Sequence, residues 1–391
     1  MPLQSLKIDK KALTDVATEY GIGKPGTGSR AVPEWGGKRY VIDVAKQRYE
    51  LLVRSPEDEF DLRRELDLLS FLEKHDFPSP RPMTDRRGRQ FLEREGCYLV
   101  VYKMPTGTLI AEGGFAAEQV HSIGKMLGEL HMVGRGYKKA IDNRYGFERI
   151  FETYAGVRRR MPHYFKKIVR TLDEEIEYLG NYLETKLPKG IIHGGIHRWS
   201  LIMNGENSVC LSDFDAACRG KYIYDLATAV NALCFREGSY DLERFEALMA
   251  GYESLRTLSL AEWDSFPNEL RFAALRFAII RLAGFFEAQE EERTRINDDF
   301  RFYLERLRVL RREEEGGMDK LLMAMATGYD YRKYQRVKSG EFEAAESAAA
   351  SAAAAEASAA TGEAVVAEEP ATAGEPATAE DTPAPSPEKE E

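Results

Sequence analysis

The spacing of hydrophobic residues changes near residue 106 and divides the chain into two parts. Before this point short strand-like runs alternate with helical patterns, and after it apolar residues recur mainly every three or four positions. The elements predicted in the first part are a helix, a hairpin, a second helix and a second hairpin, at residues 11–20, 39–54, 56–74 and 82–104. They predict a small lobe in which an antiparallel sheet packs with helix.

The turns of the two hairpins are predicted from different signals. In the first hairpin, residues 45–47 separate two apolar runs, and the segment Trp35-Gly36-Gly37 before it indicates another turn. In the second hairpin we predict the turn at Arg87-Gly88, because glycine adopts the backbone conformations that tight turns need.

The second part of the chain is mostly helical, with one interruption. The helical patterns cover residues 117–133, 157–186, 224–235, 242–255 and 269–287. Between residues 190 and 215 the pattern changes to two short strands, at 201–203 and 209–211, joined by a turn rich in Asn and Gly. A mixed lobe (residues 1–105) followed by a helical lobe (residues 106–338) is an α+β, two-lobed architecture with a cleft.

Charge is unevenly distributed along the chain, which has 391 residues and a formal net charge of −10. Residues 341–391 contain 13 acidic residues, one basic residue and 19 alanines, whereas the first 340 residues contain 54 basic and 52 acidic ones. This C-terminal segment has too few large apolar side chains to offset the entropy cost of folding, so we predict a disordered acidic tail that solubilises the chain or engages a protein partner. The nearly neutral body disfavours nucleic acid as a partner.

Cysteine usage and hydropathy bear on the cellular compartment. The four cysteines form no CxxC pair, which is typical of reduced thiols in a cytosolic protein. The N-terminal segment lacks the apolar core of a signal peptide, and no stretch approaches the roughly 18 consecutive apolar residues of a membrane span. We therefore expect a cytoplasmic protein without a membrane partner.

A polar loop, a short hairpin and an acidic segment follow one another in the predicted β-like interruption. The loop runs from His193 to Ser200, and Asp213 and Asp215 follow the hairpin as part of the sequence Asp-Phe-Asp. This order is typical of kinase-type enzymes, in which the loop positions the nucleophile and the acidic residue holds a metal ion beside the phosphates. The segment is therefore the candidate active site.

Three motifs make this likeness more specific: HGxxHxxxLIxN from His193, SDFDAAC at residues 212–218 and YDLATAVNALCF at residues 224–235. With these motifs the chain resembles the superfamily of aminoglycoside phosphotransferases and choline kinases, and most closely its homoserine kinase branch. The resemblance extends over residues 15–315 in the order of elements. It implies a protein-kinase-like fold, ATP and Mg²⁺ as cofactors, and phosphoryl transfer to a hydroxyl group of a small molecule or amino alcohol.

The resemblance implies roles for several positions. Asp213 corresponds to the metal-binding Asp, Asp225 to a residue that holds the catalytic loop, and Glu65 to the ion-pairing Glu of the first-lobe helix. Gly36 and Gly37 fall where a loop covers the phosphates. From the residues alone, Asp213 can instead cap a turn, Glu65 can lie on a solvated helix face, and the glycine pair can be a hairpin turn.

Three positions depart from the family pattern. Gly195 stands where the family has its catalytic Asp, Ser200 where it has a metal-binding Asn, and Leu52 where a cation grips the α- and β-phosphates. Loss of a general base typically costs about 10²- to 10⁴-fold in rate. The other two losses add to this, because phosphoryl transfer depends on positioning and charge neutralisation. We therefore expect phosphoryl transfer to be reduced or lost.

Other residues can supply the missing groups. Arg54 lies two residues after Leu52 on the same face of the strand, and Lys38 and Arg39 lie beside the glycine pair, so each can replace the phosphate-gripping cation. The candidates for the missing base are His197 and Asp215.

The two histidines of the loop, His193 and His197, are four residues apart, as in zinc-binding pairs on helices. Gly194 and Gly195 between them disfavour a helix, so we interpret His193 as a residue that supports the loop. Trp199 in the same loop either lines the cleft or fills it.

Two further classes of function compete with a phosphotransferase. One is a pseudokinase, which uses its cleft to bind a ligand or a regulatory partner, and the other is a structural protein with an occluded cleft. Binding of a nucleotide with Mg²⁺ would exclude the occluded cleft, and ATP turnover that is lost in Asp213→Ala would exclude the pseudokinase. The substrate itself cannot be predicted, because likeness at motifs does not transfer specificity.

Overall fold

An antiparallel sheet forms the first lobe in the computed structural model, which describes residues 8–31, 39–109, 115–204, 208–287 and 300–311. The predicted acidic tail lies outside these ranges, so its disorder and its partner stay predictions. Within the described ranges, no helix has the length and apolar character that crossing a membrane requires.

The sheet of the first lobe has six strands within the described residues. They are β1–β6, at Arg30–Ala31, Arg39–Val44, Gln47–Arg54, Arg81–Pro82, Phe91–Arg94 and Cys97–Lys103. The order is β1-β2-β3-β6-β4, with β5 also paired to β6, and every pair is antiparallel.

Two helices cover opposite faces of this sheet. Successive apolar residues of strand β6 pack against different helices. Leu99 and Val101 pack with helix α1 (Lys10–Glu19), whereas Val100 packs with helix α2 (Glu59–Lys74). Because successive side chains of a strand point to opposite faces of the sheet, one apolar strand contributes side chains to two hydrophobic cores. The predicted lobe of sheet and helix is confirmed.

The second hairpin turns at a different place from the one predicted. Strands β5 and β6 are joined at Glu95-Gly96, whose φ values of 48° and 70° are those of a tight two-residue hairpin turn. Gly88 also lies in a turn, with φ 79°, but this turn is closed by the Asp85 carboxylate, which accepts the backbone N–H of Arg87 at 2.9 Å. The prediction at Arg87-Gly88 was therefore wrong, because the turn found there precedes the hairpin.

The second lobe is mostly helical, as predicted. Its described helices α3–α9 are Ala117–Val133, Phe147–Arg158, Lys166–Tyr182, Tyr222–Leu233, Leu242–Glu253, Leu260–Glu287 and Phe300–Leu310. The single helix predicted over residues 157–186 is wrong, because Pro162 separates α4 from α5. Helix α8 begins nine residues before its predicted start, where Ser259 and Glu262 form a reciprocal capping box.

Short strands in the second lobe position the candidate site. Strands β7–β11 are Thr108–Leu109, Lys189–Ile192, Leu201–Asn204, Ser208–Leu211 and Cys218–Lys221, and β12–β13 are Phe235–Arg236 and Ser239–Tyr240. Strand β8 pairs with β11, and β9 pairs with both β10 and β7. The two-lobed kinase-like fold is thus confirmed, whereas the exact domain boundaries stay predictions.

Candidate active site

The loop at residues 193–200 lies directly beside the segment that contains Asp213. The loop leaves β8 and enters β9, while the acidic segment connects β10 to β11, so two pairs of hydrogen-bonded strands hold the two connections together. The N–H of Ser212 donates to the carbonyl of Ser200 at 2.8 Å, and Nε2 of His193 donates to the carbonyl of Ser212 at 2.9 Å. His193 is fully buried and supports the loop, as interpreted from the sequence.

The Asp225 carboxylate fixes the start of the loop. It accepts the backbone N–H groups of His193 and Gly194, each at 2.7 Å, and contacts Nε2 of the buried His131 at 3.1 Å. Burial alone would raise the pKa of Asp225, but the hydrogen bond and charge of His131 hold it below its ordinary value. The architectural role implied for Asp225 is therefore confirmed by its contacts.

The two neighbouring glycines of the loop differ in whether the backbone requires glycine. Gly194 has φ 74°, and a Cβ there would lie 2.5 Å from the carbonyl oxygen of Ala216, so only glycine fits. A Cβ at Gly195 would make ordinary contacts, with Ala216 at 3.6 Å and the Arg276 guanidinium at 3.7 Å. Backbone geometry thus demands Gly194 but leaves space for a side chain at position 195.

Asp213 is engaged by two cationic or potentially cationic side chains. Its Oδ1 accepts a hydrogen bond from Nη2 of Arg39 at 2.9 Å, and its Oδ2 lies 3.3 Å from Nε2 of His197. Arg39 also lies 3.5 Å from Glu50, and we call these four residues the interlobe cluster. Burial alone would raise the pKa of Asp213, yet Arg39 and His197 hold it well below its ordinary value.

A second ion pair joins the sheet and helix of the first lobe. Nη2 of Arg54 lies 3.0 Å from Oε2 of Glu65, and the Tyr102 hydroxyl donates to the other carboxylate oxygen at 2.9 Å. Arg39 on β2 lies directly opposite Leu52 on β3, the position at which the sequence predicts that the phosphate-gripping cation is missing. Two arginines therefore flank the position that the family pattern gives to one cation.

Little space remains between these groups. The cavity lined by the two arginines, Leu52, Glu65 and Asp213 has a volume of about 20 Å³. A cavity needs roughly 10–15 Å³ by this measure to hold a single water molecule. The space between these groups therefore accommodates about one water molecule.

The remaining predicted residues lie near the cluster but face other groups. The Ser200 hydroxyl donates to the carbonyl of His197 at 2.7 Å, which caps the short helical turn at Arg198–Ser200. The Asp215 carboxylate lies 3.6 Å from Arg144, and Trp199 is half-buried under the Arg198 guanidinium at 4.3 Å. Gly36, Gly37 and Lys38 lie outside the described residues.

Arg276 is a buried residue of the site that sequence reasoning missed. Its Nη1 donates to the Tyr224 hydroxyl at 2.9 Å and to the carbonyl of Gly194, and its guanidinium lies 4.2 Å from the ring centre of Tyr145. Among the described residues it forms no ion pair with a carboxylate, and its Nε has no hydrogen-bond partner. The available signal was an Arg with four apolar residues on each side within α8.

Comparison with known proteins gives concordant matches. The family described as "Phosphotransferase enzyme family" matches residues 30–258, more than half of the chain. A homoserine kinase of Caulobacter sp. is 30% identical, with 67% of this chain and 80% of the relative aligned. A homoserine kinase of Methylobacillus flagellatus is 28% identical, with 68% of this chain and 82% of the relative aligned.

The fold also has counterparts among solved structures. An amicoumacin kinase in complex with AMP-PNP superimposes with a TM-score of 0.57, covering 81% of this chain and 97% of that one. The sequence identity is 17%, so this likeness concerns the fold alone.

Proposed function

Because the chain belongs to the phosphotransferase enzyme family, we propose that its cleft derives from a site for ATP-dependent phosphoryl transfer to a small-molecule hydroxyl group, and that this transfer is strongly reduced or lost here. The observation that carries the proposal is the 2.9 Å ion pair between Arg39 and Asp213. It places a side-chain cation against the carboxylate that the family uses for Mg²⁺.

The donor set around Asp213 does not fit a magnesium ion in this arrangement. Magnesium demands near-octahedral coordination by oxygen atoms. One oxygen of Asp213 is hydrogen-bonded to Arg39 and the other faces His197, while the Ser200 hydroxyl is bonded within its own loop. We therefore assign no step of a reaction to a metal ion at this site.

The proton-accepting side of the site is incomplete as well. No carboxylate can come from Gly195, and the side chain closest to the position of its missing Cβ, apart from Ala216, is the cationic Arg276. A guanidinium does not accept a proton, because it is already protonated and has no acceptor atom. His197 is the remaining candidate base, but in its present position its Nε2 contacts the Asp213 carboxylate.

The acceptor proposed for the ancestral reaction is a small hydroxyl compound such as homoserine or an amino alcohol. This follows from the names of the relatives, several of which are homoserine kinases. A cytoplasmic location accords with ATP as the donor and with four cysteines that are all buried and unpaired by disulfides. A pseudokinase role, in which the cleft binds a ligand without transferring a phosphoryl group, is the alternative form of this proposal.

A phosphotransferase that uses arginines in place of the missing cation is the second candidate. It is favoured by the register that sets Arg39 opposite Leu52 and by the ion pair between Arg54 and Glu65. In this case Arg39 would turn from Asp213 to the phosphates when a nucleotide opens the cleft.

The variant Arg39→Ala separates the two candidates. If Arg39 blocks the cleft, the wild-type protein shows no ATP turnover with homoserine and no rise in melting temperature with ATP and Mg²⁺, and Arg39→Ala gains the nucleotide-dependent rise. If Arg39 grips phosphates, the wild type turns over ATP and the variant loses this activity. Arg48→Ala is the matched control, because Arg48 lies on β3 but is exposed and paired with Asp43. Steady wild-type turnover that Asp213→Ala abolishes would contradict the leading proposal.

A further inference from the structure

Helix α2 carries a row of three charged side chains on the side that faces the second lobe. Asp61, Arg64 and Asp67 follow one another at intervals of three residues, a spacing that places side chains next to each other on a helix surface. Their charges alternate in sign along the helix. Glu65 is separate from this row, because it pairs with Arg54 on strand β3 of the first lobe. Helix α2 is thus connected to its own sheet by one ion pair and offers three further charges to the second lobe.

Each charge of the row meets an opposite charge in residues 139–144 of the second lobe. We call the three ion pairs the ionic strap, and with their nitrogen–oxygen distances they are Asp61–Arg144 at 2.9 Å, Arg64–Asp142 at 3.3 Å and Asp67–Lys139 at 2.6 Å. The two segments run antiparallel, so a shift by one pair would place Asp61 against Asp142 and Arg64 against Lys139. Because like charges repel, the alternation of sign fixes the register of the two segments.

The second-lobe side of the ionic strap is anchored in the packed core. The carbonyl of the buried Ile141 accepts the N–H of Arg219 on strand β11 at 2.9 Å. Arg144 also donates through Nη2 to the backbone carbonyl of Asp215 at 2.6 Å. The ionic strap therefore joins helix α2 to the acidic segment that contains Asp213.

The ionic strap and the interlobe cluster differ in their exposure to solvent. The side chains of Asp142 and Lys139 are 82% and 66% exposed, whereas those of Arg39 and Asp213 are 10% and 11% exposed. Dissolved salt screens exposed charges much more than buried ones. Raising the ionic strength should therefore weaken the ionic strap with little effect on the ion pair between Arg39 and Asp213.

We propose that the ionic strap is a conformational device that keeps the two lobes closed, and that ionic strength sets how often they separate. An exposed ion pair shifts a two-state equilibrium by about 1.5-fold to fivefold, so three pairs that act together shift it by about threefold to a hundredfold. Release of the strap also removes the contact of Arg144 with the acidic segment. Separation of the lobes can be measured without nucleotide or substrate, so its test is independent of the proposed function.

Distances between spin labels on the two lobes of the full chain, measured by double electron–electron resonance, test this device. Cysteines replace the exposed Lys46 in the first lobe and, in two separate proteins, the exposed Lys186 or Glu246 in the second lobe. The four native cysteines are buried and should remain unlabelled. Between about 0.01 M and about 1 M KCl the Debye length falls from roughly 30 Å to roughly 3 Å. Over this range the ratio of open to closed populations should rise by about threefold to a hundredfold.

Charge reversal assigns the effect to the ionic strap. At low salt Lys139→Asp should raise the open population by about twofold to tenfold, because it replaces an attraction to Asp67 by a repulsion. The double variant with Asp67→Lys and Lys139→Asp restores the pair with exchanged charges and should reverse most of this change. Arg63→Asp is the matched control, because Arg63 lies on the same helix but pairs with Glu59 of that helix. An equal change in the control overturns the proposal.

Both comparisons are repeated with Arg39→Ala, which removes the buried ion pair to Asp213 and so prevents it from masking release of the ionic strap. Distance distributions that are the same in the parent protein and in Lys139→Asp, in both backgrounds, overturn the proposal. An open population that stays as high in the double variant as in Lys139→Asp also overturns it, because the effect would then not come from the pair with Asp67. ATP turnover by the wild type would contradict the proposed loss of transfer but leave these distances unchanged.

Discussion

Asp213 and Asp225, two carboxylates twelve positions apart, have opposite environments. Asp225 accepts two backbone N–H groups and contacts a histidine of its own lobe, so it stabilises a loop. Asp213 contacts an arginine from the other lobe and a histidine of the loop, so its partners occupy the side on which ligands would bind. Asp225 therefore supports the loop, whereas Asp213 is paired with side chains that face the cleft.

This difference separates residues that hold the loop in place from residues that face the cleft. The contacts that hold the loop belong to the packed core, and their loss would leave buried polar groups without partners. A Cβ at Gly195 would make only ordinary contacts, so a small side chain at this position should change the stability little. Variants of the residues that hold the loop and variants of the residues that face the cleft should therefore differ greatly in their effects on stability and on binding.

The largest effect is expected for Asp225→Ala. The substitution removes the acceptor of two buried N–H groups and the partner of His131, at a cost of about 3–5 kcal/mol in the free energy of unfolding. Urea denaturation of the wild type and the variant, followed by circular dichroism, measures this loss in the free energy of unfolding. A loss below about 1 kcal/mol would mean that water replaces the carboxylate and that Asp225 does not hold the loop.

An intermediate effect is expected for Gly194→Ala. Its Cβ would meet the Ala216 carbonyl at 2.5 Å in a backbone conformation with positive φ, so we expect a loss of about 2–3 kcal/mol in unfolding free energy. Gly195→Ala is the matched control, because its Cβ makes ordinary contacts and should change the free energy by less than about 1 kcal/mol. Similar losses in the two variants would contradict the geometry described for the loop.

Much of the fold and part of the site could be predicted from the sequence. Local patterns located most elements, and the motifs around His193 and Asp213 identified the family, which the comparisons confirm. The break at Pro162 was overlooked because apolar spacing continues through it, although proline itself was a readable signal. The ion pair between Arg39 and Asp213 joins residues 174 positions apart, and no local pattern determines such a contact.

The smallest effect is expected for Asp213→Asn, and it should depend on pH. Arg39 keeps Glu50 as a partner, so the loss at pH 7 should be about 1–2 kcal/mol. The folded-state pKa of Asp213 is depressed, chiefly by Arg39 and His197 acting against burial, so its stabilisation is complete above the unfolded-state value of about 3.9. It is lost as the pH falls below that value toward the folded-state pKa. Urea denaturation of the wild type and of Asp213→Asn should therefore show a difference in unfolding free energy that is constant between about pH 5 and 7 and narrows below about pH 4. A difference that widens on acidification would mean that the ion pair with Arg39 does not form in solution.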